Sequence, residues 1–520
     1  TCILLFSLLQ NILKEYNVLL PLLVSILFLI HPLHTEPVAN IKSRDELFML
    51  IGIILSLSYF IKYFNTNQLK YILFAVLATI FAFLSKRNAM AILGLLPIVL
   101  YFIKADLKKS GVILLSLCFA IAIFISIKEG LLSGEANRKL LFFENPLVYQ
   151  GDFFDRISVA LYSAWFYLEM LIFPVNLSFY YGYNQIPMAT LSNWQVWAAI
   201  IFFIPLGIYG FIQFLRRKVI GLGIVIWFGV MLGVINLFFP IVGIVADRFT
   251  YIFSIGFCIV VGFLLLKIFK IDINSETVGV KLPATFLLVF SVISIAYSAR
   301  TISRNPDWHD KLTLYENDIE HLTESAKAHA LIANTLYPKV ANELRKNPNN
   351  PQIPTDIKKI IHHYNEALRI DSTYLTSINN LGSVYVNFLQ DYEKAIYYCS
   401  KAVTMDSSYV EAHTNLAFSY NKLGKDDLAL RHYAKVIELT PENLATYEKL
   451  MNIARDANKA GYAIQLLEKL KEKIPESKVY FISLANLYSL IPNGSQFTIY
   501  YFEKAFQIDP SDKQLCVNKK

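Results

Sequence analysis

A polar stretch, FLIHPLHTEPVANIKSRDE, directly follows an apolar run and carries several ionisable side chains. His31, His34 and Glu36 fall within six positions, and Asp45 and Glu46 follow soon after. Imidazole and carboxylate groups can transfer protons or bind metal ions. Polar groups near a bilayer are costly unless they face water, protein or a ligand, so this stretch is a candidate functional site.

The spacing of His31, His34 and Glu36 suggests a zinc site first. No helical His-Glu-x-x-His pattern is present, however, and Pro32 interrupts regular helix at this point. The five cysteines are scattered and form no Cys-x-x-Cys pair, which argues against a structural zinc site or a disulfide framework. We therefore assign no metal ligands from the sequence.

The composition divides the chain into two parts. Of its 520 residues 55% are hydrophobic, and the mean hydropathy is +0.44, which is too apolar for a soluble globular protein. Long apolar runs extend to about residue 300, and the remainder has an ordinary water-soluble composition. Much of the net charge of +8 lies in short joints between the runs and forms no basic stripe. We predict a lipid bilayer as a partner and no nucleic acid.

Eleven apolar runs are candidate membrane helices, since about 20 residues cross the hydrocarbon core. They are 1–14, 17–30, 47–63, 69–84, 88–103, 111–127, 157–173, 194–215, 219–239, 249–270 and 282–299. Basic residues at 104–109, 216–218 and 267–270 mark the cytoplasmic side. Placing all three on one side requires an even number of crossings between the first two. The run 157–173 is therefore predicted to lie in the membrane interface, and ten crossings remain.

This topology gathers polar groups on the outer face of the membrane. The opening stretch, Lys86 and the pair Asp247-Arg248 all fall at outer ends of apolar runs. The water-soluble part of the chain also begins on that side. The chain starts at Thr1, already inside an apolar stretch and with no initiator methionine, so we expect a fragment that lacks its true N-terminus.

The water-soluble part contains an internal repeat. The pattern Leu381-Gly382-x-x-Tyr385 recurs as Leu416-Ala417-x-x-Tyr420, and related patterns follow at 450–454 and 484–488. A small residue of the second helix recurs every 34 positions, at Ala395, Ala429 and Ala463. This spacing resembles the tetratricopeptide repeat, a helix–turn–helix unit whose stacks form concave surfaces that bind polypeptides.

We therefore predict an all-α chain with four parts. A multi-pass membrane domain covers 1–300, and a connecting segment covers 301–325. About five tetratricopeptide repeats form an α-solenoid over 326–512, and a tail covers 513–520.

Five segments in chain order resemble the transmembrane and tetratricopeptide-repeat O-mannosyltransferases. They are HPLHTEPVANIKSRDELFML, FLSKRNAMAILGLLPIVLY, LIFPVNLSFYY, VADRFTYIFSIGFC and WHDKLTLYENDIEHLTESAKAH. Two positions depart from the pattern of that family. Asp247 replaces a glutamate, and Arg87 replaces the acid that would pair with Lys86.

The resemblance implies a GT-C glycosyltransferase fold and a polyprenyl-phosphate sugar as donor substrate, of the dolichyl-phosphate mannose type. It implies transfer of the sugar to Ser or Thr hydroxyls of exported proteins, with the repeats presenting acceptor polypeptides. The membrane would be a bacterial inner membrane or the endoplasmic reticulum, with site and repeats on the periplasmic or lumenal side. No separate cofactor is implied, although some members of this fold class use a divalent metal.

The resemblance also implies roles for the outer polar residues. Lys86, Arg248 and Arg44 are predicted to bind the donor phosphate and stabilise charge on the leaving group. The predicted acids and orienting residues form a larger set. Glu36, Asp45 and Glu46 are the supporting acids, and His31, His34, Asp247 and Tyr251 are the substrate-orienting residues. The main catalytic carboxylates of this fold class are expected before Thr1, so we expect the chain as given to be catalytically incomplete.

Two other functions remain open at this stage. A lipid-linked glycan ligase, or another envelope glycan transferase, can also combine many membrane spans with tetratricopeptide repeats. A membrane-anchored scaffold without enzymatic activity would use the repeats alone to recruit partners.

Overall fold

A computed structural model describes residues 1–131, 140–149, 151–273, 282–474 and 476–510. Within these ranges the chain forms helices and no β-strand, which confirms the all-α prediction. The chain divides into two compact units, Thr1–Ser325 and Ala326–Lys520. The predicted tail over 513–520 lies outside the described residues.

The first unit is built from helices joined by short turns. They are α1 (Cys2–Ile12), α2 (Leu19–Ile30), α3 (Thr35–Ala39), α4 (Arg44–Thr66), α5 (Lys70–Ser85), α6 (Ala91–Phe102), α7 (Leu107–Leu131), α8 (Phe153–Ile172), α9 (Trp194–Leu215), α10 (Val219–Met231), α11 (Thr250–Ile268), α12 (Ala284–Arg304) and α13 (Lys311–Asp318). The connecting segment predicted over 301–325 is thus largely helical and packs within the first unit.

Five helical segments of the described residues are long and apolar enough to cross a membrane. They are Ile41–Thr66, Lys108–Ile127, Trp194–Leu215, Asp247–Ile268 and Ala284–Trp308. A bent pair, Leu19–Ile30 with Pro32–Ala39, forms a sixth candidate if it counts as one span. Four shorter apolar helices accompany them, and α8 is not among the candidates. The count of ten crossings therefore stays a prediction, and α8 remains the helix predicted to lie in the interface.

The bend between Leu19–Ile30 and Pro32–Ala39 follows from the sequence. The two helical segments meet at 58°. Pro32 has no N–H to donate to the preceding turn, so regular helix stops at Ile30. His31 has an extended backbone, and its side chain accepts a hydrogen bond from the Leu33 N–H of the next turn. This break carries the opening polar stretch away from the direction of α2.

Two of the three predicted basic joints lie side by side in the first unit. The Tyr101 hydroxyl donates to the Leu215 carbonyl at 2.9 Å, and Arg217 Nε donates to the Tyr101 carbonyl at 3.1 Å. Lys104 pairs with Glu15 at 3.6 Å on the same side. These contacts join the ends of α6 and α9, as the predicted topology requires.

Close packing of α4 against α5 brings the polar stretch next to Lys86. A Cβ atom at Gly52 would lie 2.8 Å from the Cβ of Ala82, so only glycine permits this approach. The Ser56 and Thr79 hydroxyls lie 2.7 Å apart across the same interface. The first turn of α4 and the last turn of α5 therefore meet on one face of the unit.

The second unit is a run of antiparallel helix pairs. Its helices are α14 (Ala326–Lys346), α15 (Ile353–Ile370), α16 (Leu375–Val384), α17 (Tyr392–Met405), α18 (Val410–Lys422), α19 (Asp426–Leu439), α20 (Leu444–Asp456), α21 (Ala460–Lys469), α22 (Lys478–Tyr488) and α23 (Ser495–Ile508). Ala395, Ala429 and Ala463 are fully buried, as their 34-residue period predicts. A Cβ atom at Gly382 would lie 2.5 Å from Cys399 Sγ, which explains glycine at that position.

Two histidine pairs lie within the repeats. Nδ1 of His329 on α14 is 2.9 Å from Nδ1 of His363 on α15, and the same atoms of His413 and His432 are 2.9 Å apart between α18 and α19. One Nδ1 of each pair must accept the hydrogen bond, so at least one ring is neutral. Burial, reinforced by the neighbouring imidazole, lowers the pKa of His363 and the pKa of His432 to about 4.

These pairs predict a loss of repeat stability in mild acid. The unfolded chain binds protons near the ordinary histidine pKa of about 6.5, and the folded repeats do so only near 4. The stabilisation is therefore complete above pH 6.5 and declines as the pH falls from 6.5 towards 4, by on the order of 1 kcal/mol for each pair. Thermal melts of the repeat helices, followed by circular dichroism at pH 7.5 and pH 5, measure this loss.

A variant with His363→Gln and His432→Gln is the matched control. Glutamine can hydrogen-bond but does not titrate in this range, so its melting temperature should fall less between the two pH values. An equal fall in the variant and the unaltered chain would contradict the role of the pairs.

Candidate functional site

Lys86 lies at the end of α5 and pairs with two acids at the start of α4. Its Nζ is 2.7 Å from Glu46 Oε1 and 3.1 Å from Asp45 Oδ2. The Glu46 side chain is only 2% exposed, whereas Asp45 is 36% exposed and Lys86 is 20% exposed. In the sequence, Arg87 occupies the position of the acid that would pair with Lys86, which suggests that Lys86 lacks an acidic partner. The structure instead supplies partners from another helix.

Arg248 lies in the turn before α11 and binds the carboxylate of Glu36 twice. Its Nη1 donates to Glu36 Oε1 at 2.7 Å, and its backbone N–H donates to Glu36 Oε2 at 3.0 Å. Glu36 is 3% exposed and Arg248 is 26% exposed. A buried carboxylate held by two donors fixes the guanidinium while leaving part of it accessible.

Glu46 joins these two ion pairs into one charged cluster. It contacts Lys86 directly and also interacts electrostatically with Arg248. Two of the predicted phosphate-binding cations therefore lie on the same face of the first unit. The third, Arg44, is the exposed first residue of α4 and forms no ion pair with any described residue.

The charged cluster contains more acids than bases. Glu36, Asp45 and Glu46 face Lys86 and Arg248, so both cations are already compensated. A phosphate must compete with a carboxylate for either cation, and Asp45 is the most exposed of the three competitors. Within the described residues, no group of three or more His, Cys, Asp or Glu side chains is arranged to hold a metal ion.

His31 and His34 are buried, and protein groups occupy all four of their ring nitrogens. His31 Nε2 lies 3.1 Å from the Leu171 carbonyl, and its Nδ1 accepts from Leu33. His34 Nδ1 lies 2.7 Å from the Phe28 carbonyl, and its Nε2 lies 3.0 Å from the Ser254 hydroxyl. A carbonyl can only accept, so these contacts fix one tautomer of each neutral ring. The contacts support a structural role in joining helices. The predicted orienting role stays a prediction.

Tyr251 and Asp247, the other predicted orienting residues, are also buried. The ring of Tyr251 packs edge-on against His34 with centroids 4.9 Å apart. Asp247 is 1% exposed and interacts with Glu36 and Tyr181. Its Oδ1 atom has no hydrogen-bond partner among the described residues. Asp247 is therefore a buried acid close enough to Glu36 to interact with it electrostatically.

Another buried ion pair, which the sequence does not predict, anchors the loop after α8. Arg304 Nη2 donates to Asp318 Oδ2 at 2.8 Å, and the same oxygen accepts from the Phe179 N–H at 2.7 Å. The Tyr297 hydroxyl donates to the Leu171 carbonyl at 2.9 Å, at the start of that loop. Asp318 and Phe179 each fall within a family-like segment, and that was the available signal.

The fold and site together define a class of protein: a helical membrane unit with paired charges at one face, followed by a solenoid of helix pairs. The tetratricopeptide repeat family model matches residues 375–409 and 410–443. The chain is 27% identical over 326 residues to Protein O-mannosyl-transferase F38B6.6 of Caenorhabditis elegans, covering 62% of this chain and 43% of that protein. It is 25% identical over 360 residues to Protein O-mannosyl-transferase TMTC4 of Homo sapiens, covering 61% of this chain and 47% of that protein.

These relatives confirm the resemblance to the transmembrane and tetratricopeptide-repeat O-mannosyltransferases. The mouse Protein O-mannosyl-transferase TMTC1 is 23% identical over 250 residues, covering 46% of this chain and 24% of that protein. The chain thus spans less than half the length of these curated relatives. Among solved structures, YrrB, a TPR protein with an unusual peptide-binding site, is 20% identical with a TM-score of 0.27. The match covers 39% of this chain and 95% of the YrrB chain.

Removal of the Asp318 carboxylate tests the loop anchor. Asp318→Ala leaves a buried guanidinium with only Asp307 and frees the Phe179 N–H, so we expect a loss of about 3–5 kcal/mol in stability. The melting temperature of the detergent-solubilised protein measures it. Asp307→Ala is the matched control, because this more exposed carboxylate contacts the same guanidinium and should contribute about 1 kcal/mol or less. An equal loss of melting temperature in the two variants would contradict the assignment of Asp318 as the anchor of the loop.

Proposed function

We propose that the protein transfers mannose from a polyprenyl-phosphate donor to Ser or Thr hydroxyls of exported polypeptides. The charged cluster carries the proposal, because Lys86 pairs with Glu46 and Arg248 pairs with Glu36, and the two cations come from separate parts of the chain. The names of the relatives supply the sugar and the reaction. A lipid carrier keeps its tail in the bilayer and exposes its phosphate at the surface, where cations at helix ends can bind it.

The ion pairs suggest how the donor is bound. Lys86 is held more closely by Glu46 than by Asp45, and Asp45 is the more exposed acid. The donor phosphate would replace Asp45 beside Lys86 while Glu46 keeps the ammonium group in position. Asp45 would then be free to face the acceptor hydroxyl.

The reaction then needs one nucleophile, one leaving group and one base. The acceptor oxygen forms a bond to the anomeric carbon, and the bond from that carbon to the phosphate oxygen breaks. The polyprenyl phosphate leaves with the electron pair, and Lys86 and Arg248 stabilise its added charge. The hydroxyl proton passes to a carboxylate, for which Asp45 is the most accessible member of the charged cluster.

The proposed location is the periplasmic or lumenal side of a bacterial inner membrane or of the endoplasmic reticulum. The joints rich in Lys and Arg lie at the opposite ends of the helices, and such residues favour the cytoplasmic side. The chain leaves its last apolar helix after Arg304, beside the anchored loop. The repeats would then follow on the outer side, where acceptor polypeptides arrive unfolded or folded.

Replacing Lys86 tests the donor site. Lys86→Met should lower mannosyl transfer by about 100-fold or more, because a positive charge is lost where the leaving group develops negative charge. It also leaves Glu46 unpaired, so the double variant Lys86→Met with Glu46→Gln removes both charges and should restore stability without restoring activity. Membranes from cells expressing the intact gene are assayed with radiolabelled polyprenyl-phosphate mannose.

The double variant separates two roles of Lys86. Recovery of transfer in the double variant would mean that Lys86 only neutralises Glu46, and the donor assignment would be wrong. Lys70→Met, at the other end of α5, is the matched control and should leave transfer unchanged.

Arg44 gives a separate test, since it is exposed and unpaired among the described residues. Arg44→Ala should raise the KM for the lipid donor roughly tenfold with little change in kcat, as expected for loss of one charge-assisted contact to the phosphate. Lys42→Ala, two positions away and also exposed, is the control. An unchanged KM in Arg44→Ala would remove Arg44 from the site.

A further inference from the structure

The buried acids around Arg248 and Arg304 outnumber these two cations. Glu36, Asp247 and Asp318 are each at most 3% exposed. Arg248 binds Glu36 through two hydrogen bonds, and Arg304 binds Asp318 through two others. Asp247 forms no ion pair with any described residue, so it is the acid that is left without a cation of its own.

Asp247 is also short of hydrogen bonds. Its buried Oδ1 atom has no hydrogen-bond partner in the described part of the chain. Its hydrogen-bonding neighbour is the Tyr181 hydroxyl, which already accepts from the Ser178 N–H at 2.7 Å. An ionised carboxylate without a cation, and with an unused acceptor atom, is costly to bury, and such groups take up a proton instead. These contacts therefore favour a neutral, protonated Asp247.

The titratable groups that interact with Asp247 come from several elements. They are Glu36 on α3, Tyr167 on α8, Tyr181 in the loop after α8, Arg304 on α12 and Asp318 on α13. The two phenol groups carry no charge at neutral pH. Arg304 is the one cation in this set, and it already pairs with Asp318. The charge on Asp247 is therefore sensitive to any change of charge on its acidic neighbour Glu36.

Glu36 connects Asp247 with the partly exposed cation Arg248. It hydrogen-bonds Arg248 and interacts electrostatically with Asp247. A phosphate on the exposed part of the Arg248 guanidinium would add a second anion to a cation that Glu36 already neutralises. The repulsion falls if Glu36 takes up the proton of Asp247. Arg304 Nε is a buried donor without a hydrogen-bond partner among the described residues, and its guanidinium interacts with Asp247, so it can stabilise the carboxylate that results.

We propose that Glu36 and Asp247 share one proton, which rests on Asp247 in the free protein and moves to Glu36 when a phosphate binds Arg248. The proton leaves the Asp247 carboxyl group and binds a carboxylate oxygen of Glu36, so none enters from solvent. The transfer moves one negative charge away from the phosphate and towards Arg304. Asp247 is thus a positioning residue that acts through Glu36. The inference rests on the proposed function, because it needs the donor phosphate at Arg248.

Infrared spectroscopy of the unaltered chain tests the state without lipid. A protonated carboxylic acid has a carbonyl band separate from those of carboxylates and peptide groups, and an isotope label in the aspartate carboxyl shifts the band if aspartate is its source. At neutral pH, in a detergent without ester groups, we expect a band that shifts with labelled aspartate. Asp247→Asn should abolish this band. Asp45→Asn, which removes an exposed acid paired with Lys86, is the matched control and should retain it.

A polyprenyl phosphate without sugar tests the movement of the proton. A rise in the melting temperature of the protein first establishes that this lipid binds. Bound lipid should then remove most of the band that shifts with labelled aspartate, and add a band of similar size that shifts with labelled glutamate. The matching polyprenol, which lacks the phosphate, is the control and should change neither band. The isotope comparison uses the unaltered chain, so it does not depend on the folding of any variant.

Two results would overturn the proposal. One is the absence of an aspartic acid band in the protein without lipid. The other is an aspartic acid band that persists in full after polyprenyl phosphate has bound. Either result leaves the proposed donor site standing, because binding of the lipid is measured independently. A polyprenyl phosphate that does not raise the melting temperature would instead contradict the donor site, and this inference with it.

Discussion

Compensation of buried carboxylates is the constraint on which the charged cluster depends. Glu46 and Glu36 are almost excluded from water, and an uncompensated charge at such a position costs several kcal/mol. Each carboxylate therefore requires a cation from a different part of the chain, and this requirement fixes the register of α4 against α5 and of α3 against α11. The close contact of Gly52 with Ala82 supports the same register from the apolar side. Apolar packing and charge pairing thus select one arrangement of these helices.

Much of the membrane unit could be predicted from its sequence, because apolar runs and proline are local signals. The interruption at Pro32 appears as a bend of 58°. The charge partners could not be predicted in the same way. Arg248 and Glu36 are 212 positions apart, and no periodicity relates them. The family pattern places the acidic partner of Lys86 at position 87, whereas the partner in the structure is Glu46 on the neighbouring helix. The sequence marked the residues of the charged cluster as candidates but did not predict their pairing.

The repeats were more predictable because their contacts recur between neighbouring units. Leu381 and Leu416 are buried at the positions that the 34-residue period assigns to the core. Some polar contacts within the repeats span an insertion. His329 contacts His363, and Asn334 contacts Asn380, across the insertion between α14 and α15. An insertion shifts the sequence spacing of such contacts without changing the packing, so the repeat pattern alone does not predict them.

The short apolar helices beside Lys86 have a consequence for the surrounding lipid. The 16 residues of α5 span only about 24 Å, less than a hydrocarbon core of about 30 Å. Thinning of the lipid next to this helix is one way to match it, at a cost of fractions of a kcal/mol per ångström of mismatch. Such a depression would lower the headgroup layer towards the charged cluster, so bilayer thickness itself would influence how readily a lipid headgroup reaches Lys86.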